Sequence, residues 1–226
     1  MSGTEFKRGL NDRHRASEVV DRLSAEFQLR LPPRGNPFMV LVRMVLSQNT
    51  NWRNTRVAFD NLISRFGTPS QLAGADMHTI EGLIRSAGLY KAKAKNLREL
   101  ARVVQEKYGG DLGQVLREPP EEARRELLTL PGVGYKTADC VLLFAAGREV
   151  LPVDTHVARI AKRLGFAGPR DDREEIKRKL EGLIPQGKRG EAHLLLIQLG
   201  RRFCRALNPL CDECPVNLLC PKVGVS

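Results

Sequence analysis

The sequence predicts an all-α protein. Apolar residues recur at helical spacing in most segments between the glycine and proline breaks, and no segment shows the strict apolar–polar alternation of a half-buried strand. The chain has 226 residues, of which 42% are hydrophobic, enough for one large or two small domains with a buried core. It contains neither an apolar run long enough to span a membrane nor a secretory signal.

The charge of the chain points to a polyanionic partner. Thirty-seven Lys and Arg residues outnumber 26 acidic ones and give a formal net charge of +11. Such an excess is typical of proteins that bind nucleic acid, because each cation neutralises a phosphate and releases a counterion. Because no targeting segment is found, we expect a protein that works beside its genome in the bacterial or archaeal cytoplasm, associated with the nucleoid. We also expect it to be a monomer.

Helical periodicity divides the chain into a series of segments. A polar tail at residues 1–13 precedes a helix at 15–29, and a proline- and glycine-rich linker follows at 31–37. Further helices are predicted at residues 38–46, 53–66, 76–86, 96–108, 121–129, 159–164, 173–183 and 189–203.

Two polar or basic segments interrupt these helices. Residues 47–51 are uncharged amides and hydroxyls, which suit either a polar helix terminus or the edges of bases next to a flipped nucleotide. Residues 88–95 combine a glycine turn with alternating lysines, Lys91 and Lys93 among them, and predict a loop-to-helix junction that faces phosphates. Leu89 in that turn is either a core residue or an apolar wedge between base steps.

The stretch from Leu130 to His156 carries the chemistry. Gly132 and Gly134 bracket one valine ahead of a helix, and such a turn exposes backbone N–H groups that favour phosphate. Lys136 lies in the first turn of that helix, and Asp154 opens another helix eighteen residues later. An anion-binding turn, an amine and a carboxylate indicate chemistry on a nucleic acid.

Four of the five cysteines form a C-x6-C-x2-C-x5-C pattern near the C-terminus: Cys204, Cys211, Cys214 and Cys220. Four thiolates suit zinc or an iron–sulfur cluster. Zinc sites usually pair two tight knuckles and only one is present here, while a reducing cytoplasm disfavours disulfides. The fifth, Cys140, is interpreted as a small buried hydrophobe.

The residues LPGVGYKTAD and LPVDTHV resemble the helix-hairpin-helix and Gly/Pro…Asp motif of the endonuclease III family of DNA glycosylases. The cysteine spacing is identical to that of the family's [4Fe–4S] loop, and the resemblance covers about residues 15–221. It implies that Lys136 is the nucleophile, that Asp154 is the essential aspartate, and that the four cysteines hold a structural [4Fe–4S] cluster.

The resemblance also implies DNA contacts. Leu89 corresponds to the family's intercalating leucine, and Gly132, Gly134 and Tyr135 belong to the hairpin. The family's gap-filling glutamine corresponds to Asn49 when the segments are aligned on Ser47, although Gln48 is the only glutamine in residues 47–51. Arg205, near the first cluster cysteine, is expected to contact the DNA backbone. The aspartate that many family members carry a few residues after this segment is missing here, and Trp52 lies close to its place in the sequence.

The implied architecture has two helical lobes with a DNA cleft between them. One is a helical barrel at residues 35–148, with the helix-hairpin-helix at about 124–146. The other is residues 149–226, with the cluster loop at 204–220. Residues 1–34, the tail and first helix, are expected to pack with this second lobe.

The implied function is bifunctional. We expect a DNA glycosylase that flips and removes oxidised pyrimidines through a lysine Schiff base, and an AP lyase that then cleaves the abasic site by β-elimination. Its partner is double-stranded DNA containing damaged bases or abasic sites. Two alternatives stay open: a monofunctional glycosylase for T or U opposite G, suggested by Tyr135 beside the nucleophile, and a non-catalytic DNA-binding module.

Overall fold

Helices make up all the regular structure of the described part of the chain. The computed structural model describes residues 12–225, so most of the predicted polar tail lies outside it. No β-strand occurs among the described residues, as the all-α prediction requires. None of their helices is both long enough and apolar enough to cross a bilayer.

The chain folds as two compact units. One comprises residues Pro33–Arg148, and the other combines the described residues up to Pro32 with those from Glu149 onward. In chain order the α-helices are α1 (Asp12–Phe27), α2 (Pro37–Ser47), α3 (Trp52–Arg65), α4 (Pro69–Ala73), α5 (Met77–Leu83), α6 (Tyr90–Tyr108), α7 (Gly113–Arg117), α8 (Pro120–Leu128), α9 (Tyr135–Phe144), α10 (Thr155–Arg163), α11 (Arg173–Leu183) and α12 (Arg189–Arg202).

The first unit is organised around α2, which packs against α3, α6 and α9. Two residues stabilise the start of this helix. Pro37 occupies its first turn, and the Asn36 side chain accepts a hydrogen bond from the backbone N–H of Met39 at 3.2 Å. A cap of this kind contributes about 1 kcal/mol. Leu41, Val45 and other apolar residues of α2 are completely buried, because helices surround it on several sides.

The other unit has its own hydrophobic core, formed by α1, α10, α11 and α12. Facing residues such as Leu23, Ile160, Leu180 and Leu199 are at most 1% exposed. Buried Arg15 ties α1 to this core, because its guanidinium donates to the carbonyl of Leu164 at 2.5 Å.

Helix α6 begins six residues earlier than predicted, at Tyr90 rather than Asn96. The predicted loop-to-helix junction is therefore the first two turns of a helix. Lys91 and Lys95, four residues apart, lie on one exposed face, whereas Lys93 lies on the opposite, buried face. The short helices α4 and α7 were missed altogether, because five residues are too few for a recognisable period.

Candidate active site

The turn between α8 and α9 presents backbone to solvent. Gly132 has a φ of +74°, in the left-handed region that favours glycine, and both Gly132 and Gly134 are exposed. Gly134 is the N-cap of α9 and has no side chain with which to cap the helix. Because no side chain of the described residues caps this helix, the first N–H groups of α9 are placed to meet an anion.

Lys136 lies in the first turn of α9 and is half-buried. Its Nζ lies 3.5 Å from the Met44 sulfur on α2. A thioether is only a weak acceptor, and no carboxylate of the described residues forms an ion pair with this amine. Lys136 thus contacts α2 through a weak acceptor, and no ion pair among the described residues neutralises its amine.

A buried ion pair joins the two helices of the hairpin. Arg124 on α8 is 9% exposed, and its Nε donates to Asp139 Oδ1 on α9 at 2.8 Å, while Asp139 is 1% exposed. The Arg124 guanidinium also lies 4.9 Å from the centre of the Tyr135 ring. Nothing in the sequence indicates this pair, because 15 residues and a turn separate its two members and no periodicity connects them.

The polar segment after α2 reaches the hairpin. Gln48 and Asn49 are exposed, and Gln48 Nε2 donates to the carbonyl of Gly132 at 3.3 Å. Asn49 adopts a left-handed backbone with φ of +51°, which asparagine tolerates better than most residues. The fold thus brings the segment at 47–51, the glycine turn and Lys136 together within one unit.

Leu89 is the predicted wedge, and its side chain is 64% exposed. It has a φ of +46°, a strained conformation for a leucine, directly after Gly88 with a φ of +67°. The alternative that Leu89 is a core residue is therefore wrong.

The prediction that Lys93 faces DNA phosphates together with Lys91 is wrong. Lys93 is only 4% exposed, whereas Lys91 is exposed. Its Nζ donates to three backbone carbonyls, and burial lowers its pKa. The helical register of α6 directs it into the unit, so it cannot contact a phosphate.

Asp154 lies in the other unit, as the N-cap of α10. Its Oδ1 accepts a hydrogen bond from the backbone N–H of Val157 at 2.9 Å, and the residue is half-buried. No described residue donates to its second oxygen. His156 is half-buried beside Arg159, and burial lowers its pKa. Asp154 therefore has a structural role in starting the helix and one oxygen left for another partner.

The four C-terminal cysteines line one cavity of about 30 Å³. Hydrogen-bond donors face two of their sulfurs: Arg163 Nη1 lies 3.4 Å from Cys204 Sγ, and the backbone N–H of Lys222 lies 3.4 Å from Cys220 Sγ. Burial raises the pKa of Cys214 to about 11. Among the described residues, no group of three or more His, Cys, Asp or Glu side chains lies close enough together to hold a metal ion. Arg205 follows the first cysteine and is exposed.

Comparison with known proteins decides the family. Residues 42–186 match the model of the HhH-GPD superfamily base excision DNA repair proteins. Endonuclease III of Thermotoga maritima is 39% identical over 199 residues, which cover 87% of this chain and 89% of that protein. The chain belongs to the endonuclease III family. It is a DNA glycosylase with AP lyase activity of base excision repair, and the resemblance seen in the sequence is confirmed.

Solved structures agree with the family assignment. The structure of a trapped covalent endonuclease III–DNA intermediate matches with a TM-score of 0.82 and 32% identity, covering 94% of this chain and 97% of that one. A thermostable thymine-DNA glycosylase matches with a TM-score of 0.78 over 92% of this chain and 96% of that one. Its identity is 24%, so this second likeness shows a shared fold alone.

We expect Asp139→Leu to lower the free energy of unfolding by about 3–5 kcal/mol, because it leaves the Arg124 guanidinium buried without its carboxylate. The double variant Arg124→Met/Asp139→Leu removes both charges and should recover part of that loss. Urea denaturation of wild type and both variants at one pH measures this. Equal destabilisation of the single and double variants would contradict a dominant role for the ion pair.

Proposed function

We propose that the protein removes oxidised pyrimidines from duplex DNA, with Lys136 as nucleophile and Asp154 as the carboxylate that stabilises the transition state. The observation that carries this proposal is the position of the Lys136 amine. Lys136 lies in the first turn of α9, directly after the exposed glycine turn, and no ion pair among the described residues neutralises it. An amine held by a carboxylate would be a poor nucleophile, whereas this one is restrained only by a thioether.

The chemistry requires an amine that is close to a bound sugar. Breaking the N-glycosidic bond builds positive charge at the anomeric carbon, and the Lys136 nitrogen forms a bond to that carbon as the base leaves with the bonding electrons. Loss of a proton from nitrogen and opening of the sugar give an iminium. The iminium acidifies the adjacent sugar proton, so β-elimination expels the 3′ phosphate and cleaves the strand.

Asp154 is suited to stabilising a positively charged transition state because its carboxylate is fixed in place. Its Oδ1 is held by the N–H of Val157, so the carboxylate does not have to reorganise as charge develops. The second oxygen is the one we assign to the developing oxocarbenium ion. A single well-placed group of this kind is typically worth ~2.7–4 kcal/mol of barrier.

The remaining site residues are proposed to hold and open the duplex. The N–H groups of the turn at Gly132 and Gly134 bind a phosphate, Tyr135 lies beside them, and Lys91 adds charge. Leu89, exposed on a strained turn, inserts between base steps. Gln48 and Asn49 fill the gap left by the flipped nucleotide, and Arg205 contacts the backbone beside the cysteine loop.

We further propose that the four cysteines hold a [4Fe–4S] cluster. The residues present fit this group in three respects: all four line one cavity, an arginine and a backbone N–H face the sulfurs of Cys204 and Cys220, and all four cysteines are partly buried. Because burial favours the protonated thiol of Cys214, a bound metal has to displace its proton. When bound, the cluster cross-links a segment with little core of its own.

Lys136→Gln should abolish the covalent adduct that borohydride traps on an abasic duplex, because the amide cannot form a Schiff base. DNA affinity, measured by fluorescence anisotropy at fixed salt, should stay within about threefold, since one phosphate contact or fewer is lost. Lys107→Gln, an exposed lysine paired with Glu126, is the matched control and should trap like wild type. Trapping by Lys136→Gln at the wild-type level would remove Lys136 from the nucleophile's role.

Asp154→Asn should slow excision of a damaged base on the order of a hundredfold to a thousandfold in single-turnover assays. Cleavage of a pre-formed abasic site should suffer less, because no glycosidic bond remains to be broken. Asparagine is as good an N-cap as aspartate, so α10 and the melting temperature should be preserved. Equal losses in both reactions would instead assign Asp154 to the activation of Lys136.

Purified protein should be brown, with broad absorbance near about 400 nm and about four iron atoms per chain. Cys211→Ser should lose most of the iron and the colour, whereas Cys140→Ser should keep both, since Cys140 is fully buried in α9 and far along the chain from the quartet. Metal analysis that finds stoichiometric zinc and no iron in active protein would overturn this assignment.

A further inference from the structure

Lys93 is a buried cation whose hydrogen bonds are complete. Its ammonium donates to the carbonyls of Leu46 at 2.9 Å, Gln48 at 2.6 Å and Ala87 at 2.9 Å. A lysine has three N–H donors, so each one has an acceptor. The two bonds that join Lys93 to Leu46 and Gln48 span more than forty residues of sequence.

These carbonyls come from the ends of two different segments. Leu46 and Gln48 lie in the last turn and at the C-cap of α2, and Ala87 is the last residue of a short 3-10 helix, Arg85–Ala87. Carbonyls at helix C-termini lack partners within the helix and carry partial negative charge. One ammonium therefore satisfies orphan acceptors from both segments at once.

Each segment is followed within two residues by a non-glycine residue with a left-handed backbone. Asn49, next to Gln48, has a φ of +51°, and Leu89, two residues after Ala87, has a φ of +46°. Both side chains are exposed. Non-glycine residues persist in the left-handed region only where the surrounding structure fixes them, and such strain is concentrated at functional sites.

We propose that Lys93 is a positioning residue that holds the gap-filling segment of Gln48 and Asn49 and the wedge residue Leu89 in one rigid arrangement. The inference rests on the proposed function, because it assumes that these side chains enter the DNA. Lys93 itself does not touch DNA. It fixes the distance between the two segments, so that the wedge opens the stack where the amides can occupy the gap.

Lys93→Met tests this, because methionine keeps most of the apolar stem and removes the ammonium. With a duplex that carries one thymine glycol, saturating single-turnover excision should fall on the order of a hundredfold, the loss expected when a positioned group moves by about 1 Å. Binding affinity should change by less than about threefold. Cleavage of a pre-formed abasic site, which needs no base to be extruded, should fall by less than about fivefold.

A fluorescent readout separates positioning from chemistry. 2-Aminopurine next to a non-cleavable lesion analogue brightens when the stack opens, and this increase should largely disappear in Lys93→Met. Lys91→Met, on the exposed face of the same helix, should instead weaken binding and lower the salt slope by about one. Val104→Ala, a buried truncation farther along α6, should lower the melting temperature and leave excision and fluorescence unchanged.

The outcomes separate this inference from the proposed function. If wild-type protein excises no damaged base and forms no trapped adduct, the proposed function fails. If wild type is active and Lys93→Met excises and brightens 2-aminopurine like wild type, the positioning role is wrong. Should Lys93→Met not fold, Lys93→Gln, which keeps two N–H donors, replaces it. Failure of both to fold, or parallel loss of excision and abasic cleavage, would assign Lys93 to general stability and overturn the proposal.

Discussion

The arrangement of α8 and α9 in the first unit depends on the buried ion pair between Arg124 and Asp139, which joins the two helices across their turn. Arg124 and Asp139 are nearly inaccessible to water, so each is tolerable only because the other neutralises it. Their pairing fixes the distance between the two helices at the base of the turn. The turn itself can then be short and glycine-rich, which leaves the N–H groups at the start of α9 uncovered and presents the Lys136 amine beside α2.

Irregular backbone near the candidate site raises a second demand, since every buried carbonyl needs a donor. Side chains from elsewhere in the first unit meet it: Gln48 donates to the carbonyl of Gly132, and Lys93 donates to the carbonyls of Leu46, Gln48 and Ala87 at the ends of two helices. Segments tied in this way keep their shape without regular structure. Residues that act on a ligand can therefore project from loops and still hold a defined position.

Short-range features of the chain predicted most helices and the residues that open them. Lys136 was placed in the first turn of a helix because two glycines and a proline directly precede it, and the structure has it there. The start of α6 was wrong because Gly88 and the alternating lysines suggested a loop, although lysine is a good helix former. The burial of Asp139 was missed because its partner lies across a turn, where no periodicity connects the two residues.

By itself the sequence determined the all-helical class, the family and the identities of the candidate nucleophile, carboxylate and cysteine ligands, because these depend on residue type and local spacing. Only the tertiary structure decided what each charged side chain faces. Lys91 and Lys93 are the same residue type in the same lysine-rich stretch of sequence. Lys91 is nevertheless exposed, whereas Lys93 is buried and donates to three carbonyls. The difference arises because residues two positions apart in an α-helix are rotated by about 200° around its axis, and packing against α2 makes the side of Lys93 the interior.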